Sequence, residues 1–514
     1  MIYPIKSELN FYRCSIYSLQ IRFMAFKHDF AKGVAYTAIA KYFSVFISIF
    51  ISAILARLLT PEDFAIIAIA TVFIGFITLL TGSGLSPAII QQKNLTKSDI
   101  RDLFSFTIYL AIIASILFLG AIPLISKFYS NHILENICLL LIVNVFFSVV
   151  NIVPNALLFK EKRFKYIAIR TIVVQTSLGA LSVIGALSGL GVYALLINPI
   201  IGSILLFIIS YRCYNITVSL RFNFTIIKSI LPYSAYQIGF NILNYGYRNT
   251  DTLLIGRYLG MNTLGFYEKS YRLMMMPLDN LSNVINPVLH PLLSEYQDNR
   301  TFIFEKYKQL TRYLGYIGFL LTGFCFSCAS DIILILFGEQ WVPSISIFKI
   351  LSLSIGIQIV QSAVGAVFQS TGKVKLLFFS GLLSFIVSVG AIVIGILSKN
   401  IDFLASLIVL AFILAFIIYH VALIKIVMEE NFLNFISSLC RPILSGLIIG
   451  IILSSFKYFC PISNMYINFL LCIAITFTSI LIMQKVKIIV GMPDLYNLLI
   501  TKLRNVKIRR PFIF

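Results

Sequence analysis

The chain has 514 residues, of which 59% are hydrophobic and only 12% are charged, and its mean hydropathy is +0.94. A soluble protein of this length could not keep so much apolar surface in water, so the composition indicates that a membrane is the solvent. The sequence lacks the short alternating strands of outer-membrane barrels, which excludes that class. The formal net charge of +21 needs a separate explanation, because the chain has 41 Lys and Arg residues but only 20 Asp and Glu residues.

Apolar runs long enough to cross a bilayer follow one another along the chain. A spanning helix needs about 20 mostly apolar residues, because every backbone amide in hydrocarbon must find its partner within the segment. We therefore predict an all-α integral membrane protein with about 14 transmembrane helices. The predicted spans are residues 35–57, 64–84, 104–125, 133–157, 167–187, 191–211, 232–256, 271–292, 313–336, 345–369, 376–397, 402–424, 441–456 and 465–484.

The positions of Lys and Arg predict the orientation of these spans. With the N-terminus inside, the cytoplasmic segments hold 30 of the 41 basic residues and the outer segments hold 7, while the other four lie inside spans. Cytoplasmic loops carry the basic excess, so we predict that both termini are cytoplasmic, with an N-terminal segment at 1–34 and a basic tail at 485–514. The positive charge then reflects topology, and nucleic acid need not be invoked as a partner.

The first 23 residues carry no targeting signal that we can identify. They lack the apolar core and the small-residue cleavage site of a signal peptide. The run that starts at Met24 is typical of the beginning of a membrane protein, so Met24 is an alternative start.

An internal repeat relates the first predicted span to the seventh. Residues 54–59 align with residues 254–259 without gaps, and Pro87 aligns with Pro287 at the same offset of 200. An offset of six spans keeps both halves in the same orientation, so we predict a parallel pseudo-twofold repeat. The six-helix lobes are residues 35–211 and 232–424, two further helices lie within 441–484, and a cavity is expected between the lobes.

Polar residues recur every three or four positions along five of the spans, so that each set shares one helix face. A polar face inside a membrane normally faces water or protein rather than lipid. We therefore predict that these side chains line the cavity. They are Lys41, Ser44 and Ser48 in the first span; Asn144 and Asn151 in the fourth; Gln237, Asn241, Asn244, Arg248 and Asp251 in the seventh; Asp279 and Asn283 in the eighth; and Gln358 and Gln361 in the tenth.

Two interpretations of the polar faces stay open. A single row of Asn or Ser side chains often serves as a hydrogen-bonding contact between helices, whereas five symmetric rows favour a lumen. Arg248 could bind a ligand, or it could close an ionic cluster with Asp251 and Asp279. No metal site, nucleotide-binding loop or cofactor motif is present, and Cys325 and Cys328 form a CxxC within an apolar run, where packing is the simpler explanation.

Several segments together resemble the polysaccharide transporter branch of the multidrug/oligosaccharidyl-lipid/polysaccharide (MOP) flippase superfamily, which includes the Wzx-type exporters of O-antigen and colanic acid. The resemblance lies in residues 54–64, 82–85, 251–260, 264–267 and 287–297 and extends over roughly residues 30 to 425. It implies a non-enzymatic carrier in the bacterial inner membrane with undecaprenyl-diphosphate-linked glycan as cargo. It also implies a role in surface polysaccharide synthesis, where the chain could contact the polysaccharide polymerase and the chain-length machinery.

Three rival functions are weighed against this one. A purely structural membrane scaffold is disfavoured by the charged residues inside the predicted spans. A multidrug exporter of the same superfamily would favour an acidic, aromatic cavity that holds cations, whereas the polar faces here are mainly amide and basic. A membrane glycan polymerase would need long outer loops or a catalytic pair of carboxylates, and the predicted outer loops are short. Lys41 and Arg248 offer positive charge for a diphosphate, and the amides and hydroxyls offer partners for sugar hydroxyl groups.

The orientation can be tested by labelling single cysteines in a cysteine-free background. Asn131→Cys lies in a predicted outer loop and Leu95→Cys in a predicted inner loop. A membrane-impermeant thiol reagent added to spheroplasts should label position 131 and leave position 95 unlabelled until the membrane is permeabilised. Labelling in the opposite order would overturn both the predicted orientation and the count of spans.

Overall fold

A computed structural model describes residues 42–82, 85–92, 95–219, 235–294, 296–297, 299–486 and 488–489. All regular structure in these residues is helical, as the sequence predicts. We number the α-helices in chain order, and short 3-10 or π turns at 191–196, 339–341 and 422–427 accompany them. The helices are α1 Tyr42–Leu58, α2 Pro61–Gly82, α3 Leu85–Gln91, α4 Lys97–Tyr129, α5 His132–Val150, α6 Ile152–Lys160, α7 Phe164–Leu187, α8 Ile197–Tyr211, α9 Ala235–Tyr258, α10 Met261–Ser294, α11 Arg300–Ser327, α12 Ala329–Phe337, α13 Pro343–Ser352, α14 Ile355–Gln361, α15 Val364–Ser370, α16 Val374–Leu397, α17 Ile401–Val421, α18 Phe432–Phe459 and α19 Met465–Lys485.

Within the described residues, nine helical segments are long and apolar enough to span a membrane, and the number rises to 11 if each of two bent helix pairs is one span. The bends are 75° between α11 and α12 and 46° between α13 and the α14–α15 segment. The other three predicted spans correspond to α1, which is short over its described length, and to α9 and α10, which carry more polar residues. The chain is a multi-pass membrane protein, and the count of fourteen spans stays a prediction.

Asparagine side chains mark the start of several helices. The Asn131 side chain accepts a hydrogen bond from the Leu134 N–H, and the Asn400 and Asn464 side chains cap α17 and α19 in the same way. Thr96 and Asp99 form a reciprocal capping box at the start of α4. These side chains pair backbone N–H groups that have no partner in the first turn of a helix. Polar residues between the apolar runs therefore fix where the helices begin.

The described residues form two compact units. The first contains residues 42–58 and the described residues from 77 to 219, and the second contains residues 59–76 together with those from 235 onward. In the first unit, α4 packs on α5, and α8 packs on both α5 and α7. A cluster of buried side chains that includes Leu103, Phe104 and Val153 forms its core near the start of α4.

The second unit depends on close approaches between glycines and neighbouring helices. A Cβ atom on Gly323 of α11 would lie 2.3 Å from the carbonyl oxygen of Gly446 on α18. On α9, Gly246 packs against the ring of Phe385 on α16, with 2.9 Å between an added Cβ and that ring. Small residues allow such contacts in membranes, where van der Waals packing rather than the hydrophobic effect holds helices together.

Residues 59–76, which open α2, pack within the second unit, although the sequence-based boundary assigns them to the first lobe. Gln340 donates a hydrogen bond to the carbonyl oxygen of Leu59 (3.1 Å). The buried ammonium of Lys269 lies 3.6 Å from the centroid of the Phe64 ring, which makes an edge contact with Trp341. Cation–π contacts of this kind are strongest when they are shielded from water. Periodicity could not predict this assignment because it identifies the buried face of a helix but not the neighbour that covers it.

The close contact between Gly265 of α10 and the start of α2 predicts an effect on stability. A Cβ on Gly265 would lie 2.0 Å from the carbonyl oxygen of Pro61, which is a backbone atom that cannot rotate away. We expect Gly265→Ala to lower the melting temperature of the detergent-purified protein, because overpacking costs about 1–3 kcal/mol. The matched control is Gly390→Ala on α16, where nothing lies within 4 Å of the added methyl group. Equal melting temperatures for the two variants would contradict the close contact.

Candidate functional site

The second unit contains a polar cavity of about 300 Å³, which we call the Arg248 cavity. Six helices and the turn after α14 contribute to it, so its walls come from residues far apart in the sequence. Its lining residues are Phe240, Asn241, Asn244, Tyr247 and Arg248 from α9; Leu278, Asp279 and Ser282 from α10; Gln358, Gln361, Ser362, Val364, Gly365, Ala366 and Gln369 from the α14–α15 segment; Leu377 from α16; and Tyr419 from α17.

The α9 helix turns one polar face toward this cavity. Asn241, Asn244 and Arg248 follow one another at helical spacing and lie on that face, as their periodicity predicts. Gly246 lies between them in sequence but contacts Phe385 of α16. The helix is therefore packed on one side and polar on the other, which explains why it is not among the nine long, apolar helical segments of the described residues.

Arg248 and Asp279 form the charged pair of the cavity. The distance from Nη1 of Arg248 to Oδ1 of Asp279 is 3.6 Å, and the two side chains are 37% and 61% exposed. A hydrogen bond between these groups would be about 2.7–2.9 Å long, so the pair is held by charge and the guanidinium N–H groups remain available. Arg248, Asn244 and Gln361 have no side-chain hydrogen bond within the part of the chain that the structure describes.

Asp251 does not line the cavity, so its assignment from the polar face is wrong. It is 3% exposed, and its carboxylate accepts hydrogen bonds from the Tyr267 hydroxyl (2.5 Å) and from the Thr252 N–H (2.7 Å). It lies near the connection between α9 and α10, where Tyr267 of α10 covers it. The three-residue ionic cluster is therefore absent, and Arg248 pairs with Asp279 alone among the described residues.

The α14–α15 segment contributes most of the amide groups. Gln358 is nearly buried and donates hydrogen bonds to Sδ of Met274 and to Oγ of Ser354, both at 3.0 Å. Gln361 lies one turn further along the lining. Ser362 and Gln369 also line the cavity. The sequence-based prediction missed both because the helix is interrupted at residues 362–363, so that one helical period does not extend from Gln361 to Gln369. Tyr419 was missed as well, since a single tyrosine in an apolar span carries no periodic signal.

A second cavity, of about 290 Å³, lies within the first unit, and we call it the Asn144 cavity. Helices α5, α7 and α8 surround it. Its lining residues are Asn144, Ser148, Thr171, Val174, Gln175, Asn198, Pro199, Gly202, Ser203 and Leu206. None of these lining residues carries a charge, which distinguishes the Asn144 cavity from the Arg248 cavity. Nowhere in the described ranges do three or more His, Cys, Asp or Glu side chains come close enough to hold a metal ion.

Other predicted site residues of the first unit lie outside both linings. Asn151 is half-buried at the junction of α5 and α6 and lines neither cavity. Ser44 and Ser48 lie on α1; the main-chain carbonyl of Ser44 accepts a hydrogen bond from Gln175 (3.1 Å), and Ser48 is exposed. Their assignment to a cavity lining stays a prediction. Lys41 and the side chains of Gln237 and Asn283 lie outside the described residues.

The helical fold and the two polar cavities within its membrane spans define a multi-pass membrane transport protein. The chain belongs to the family described as polysaccharide biosynthesis protein, whose model matches residues 54–346. This match confirms the resemblance to the polysaccharide transporter branch of the MOP flippases.

Individual relatives and solved structures agree with this family. The chain is 23% identical over 434 residues to the lipopolysaccharide biosynthesis protein WzxC of Escherichia coli (strain K12), which covers 82% of this chain and 86% of WzxC. It is 26% identical over 363 residues to an uncharacterized membrane protein in the cps region of Klebsiella pneumoniae, which covers 69% and 73% of the two chains. The lipid II flippase MurJ in its inward closed conformation has the same fold, with a TM-score of 0.70 over 88% of this chain and 98% of MurJ at 15% identity.

The contrast between Arg248 and Asp251 leads to a prediction about stability. Removing an exposed ion pair costs about 0–1 kcal/mol, so Arg248→Ala should leave the melting temperature nearly unchanged. Asp251→Ala should lower it clearly, because the buried Tyr267 hydroxyl would lose its acceptor at about 1–3 kcal/mol. Thermal unfolding of the two purified variants in detergent measures the difference. Equal destabilisation would mean that Arg248 is a structural residue.

Proposed function

We propose that this protein is a flippase that translocates undecaprenyl-diphosphate-linked oligosaccharide units across the bacterial inner membrane for surface polysaccharide synthesis. Membership of the polysaccharide biosynthesis family and the MurJ-like fold support the general class of transporter. The binding site is assigned from one observation: Arg248 is exposed to water inside a polar cavity that is lined by amide groups. The distribution of Lys and Arg predicts that both termini are cytoplasmic. We further propose that the chain contacts the polysaccharide polymerase and the chain-length machinery.

The Arg248 cavity has the chemistry that a diphosphate requires. A guanidinium presents planar, charged N–H donors that match phosphate oxygens in a two-point contact. Because the distance to Asp279 is too long for a hydrogen bond, an incoming phosphate can take these donors without breaking one. Asn244, Gln361 and Gln369 line the same cavity, and their amide groups can bind the remaining phosphate oxygens or the first sugar. The polyprenyl tail would remain in the bilayer.

A multidrug exporter of the same superfamily is the alternative, and the fold alone does not separate the two functions. An inward-facing MATE family multidrug transporter also matches, with a TM-score of 0.56 over 78% of this chain at 15% identity. An organic cation would be attracted by carboxylates that have no basic partner. In the Arg248 cavity the single lining carboxylate, Asp279, already faces Arg248, and the other polar lining residues are amides and hydroxyls. This balance supports an anionic cargo.

The test is export of polysaccharide by Arg248 variants, measured relative to the amount of protein in the membrane. Arg248→Ala should reduce export about ten- to hundredfold, because a hydrogen bond to a charged group contributes about 1.5–3 kcal/mol. Arg248→Lys keeps the charge but loses the two-point contact, so it should retain partial activity.

Two further variants control this experiment. Arg257→Ala removes an exposed arginine from the same helix, outside the cavity, and should export normally. Arg248→Ala combined with Asp279→Asn removes both charges, so that no carboxylate is left without its partner. If this double variant is abundant and exports at the normal rate, phosphate binding by Arg248 is ruled out.

A further inference from the structure

The Asn144 cavity raises the question of what an uncharged polar cavity does inside a membrane protein. It is almost the same size as the Arg248 cavity, at about 290 Å³ against about 300 Å³. Ligand pockets in proteins measure about 300–1,000 Å³, so each cavity lies at the lower end of that range. We infer that the Asn144 cavity is a carbohydrate subsite that takes one uncharged sugar residue of the lipid-linked glycan. This inference rests on the proposed function and names the part of the cargo that is recognised.

The first argument is the absence of charge from the lining. Three amides and three hydroxyls line the cavity, from Asn144, Gln175, Asn198, Ser148, Thr171 and Ser203. An anionic headgroup or a cationic drug would lose hydration there without gaining an opposite charge. A neutral polyol replaces its hydrogen bonds to water with equivalent bonds to amides and hydroxyls, so this lining selects a neutral, hydroxyl-rich ligand.

The second argument is that several of these groups have unused hydrogen-bonding capacity. Asn144 donates through Nδ2 to the carbonyl oxygen of Pro199 (2.6 Å), and Gln175 donates through Nε2 to the Ser44 carbonyl (3.1 Å). Each amide oxygen therefore remains available as an acceptor. The side chains of Ser148 and Asn198 have no protein partner among the residues that the structure describes. Polar groups without partners are costly at membrane depth, so the cavity requires water or a polar ligand.

The third argument is the apolar part of the same wall. Val174, Pro199 and Leu206 line the cavity beside the amides. A sugar ring has C–H groups on its faces and hydroxyls around its edge, so it needs apolar and hydrogen-bonding contacts together. Gly202 keeps this wall open, because a Cβ at that position would lie 3.4 Å from Oδ1 of Asn198 and would take up part of the space.

The test measures binding of two lipids to the purified full-length protein in nanodiscs. One probe is the glycan-bearing polyprenyl diphosphate extracted from membranes of the organism that encodes the chain, and the other is undecaprenyl diphosphate, which has no sugar. The double variant Ser148→Ala, Thr171→Val removes two hydroxyls and keeps the shape of the wall. Ser203→Leu fills the cavity, and Ser177→Ala is the control, because Ser177 lies on the exposed face of α7 and outside the lining.

The inference predicts that both cavity variants weaken binding of the glycan-bearing lipid about tenfold, as expected for the loss of one or two hydrogen bonds. Binding of undecaprenyl diphosphate should not change, and Ser177→Ala should bind both probes like the wild type. Arg248→Ala should weaken binding of both lipids. If Ser203→Leu does not fold, the double variant alone provides the test, since among the described residues the Thr171 hydroxyl bonds only to the Ile167 carbonyl of its own helix.

Different results overturn different parts of this reasoning. If the cavity variants bind the glycan-bearing lipid as tightly as the wild type does, the subsite is refuted while the proposed function stands. If they lose affinity for both lipids equally, the cavity does not recognise sugar and the inference fails. If the wild type binds neither lipid, the proposed function fails, and the carbohydrate subsite fails with it.

Discussion

The constraint on which the structure depends is that hydrocarbon offers no hydrogen bonds. Backbone groups must then be paired within each segment, which makes the described regular structure helical. Side chains obey the same constraint. Asp251 is buried because Tyr267 and a backbone N–H bind it, whereas Arg248 and Asp279 face a cavity that water can enter. The polar residues of the spans thus divide into those that pair with protein and those that remain available to a ligand.

This division explains how much could be predicted from the sequence. Periodicity placed Asn241, Asn244 and Arg248 on one face of α9, and the structure finds all three in the lining of one cavity. The same periodicity failed for Asp251, because the spacing of residues does not reveal which neighbouring side chain covers a position. It also missed Gln369, which follows an interruption of the helix at residues 362–363, and Tyr419, which reaches the cavity through tertiary packing.

The fold, like the candidate site, could be predicted from the sequence only in part. Hydropathy predicted a helical membrane protein, and short motifs spread over both halves predicted its family, because both signals are local in the sequence. The grouping of residues 59–76 with the second unit is not local. It depends on the fit of the α2 start against Gly265 and on the contacts of the Phe64 ring with the Lys269 ammonium and the edge of Trp341. These contacts join residues about 200 to 280 positions apart.

The 3.6 Å separation of Arg248 and Asp279 in an open cavity has a consequence for how the protein responds to its surroundings. Mobile ions screen exposed charges over about 8 Å at physiological ionic strength and over shorter distances in more concentrated salt. Attraction between Arg248 and an anionic group must therefore weaken as the medium becomes saltier. Hydrogen bonds in the uncharged Asn144 cavity are not subject to this screening. A carrier that uses both cavities would hold its charged group less tightly in concentrated salt, while its choice between sugars would stay the same.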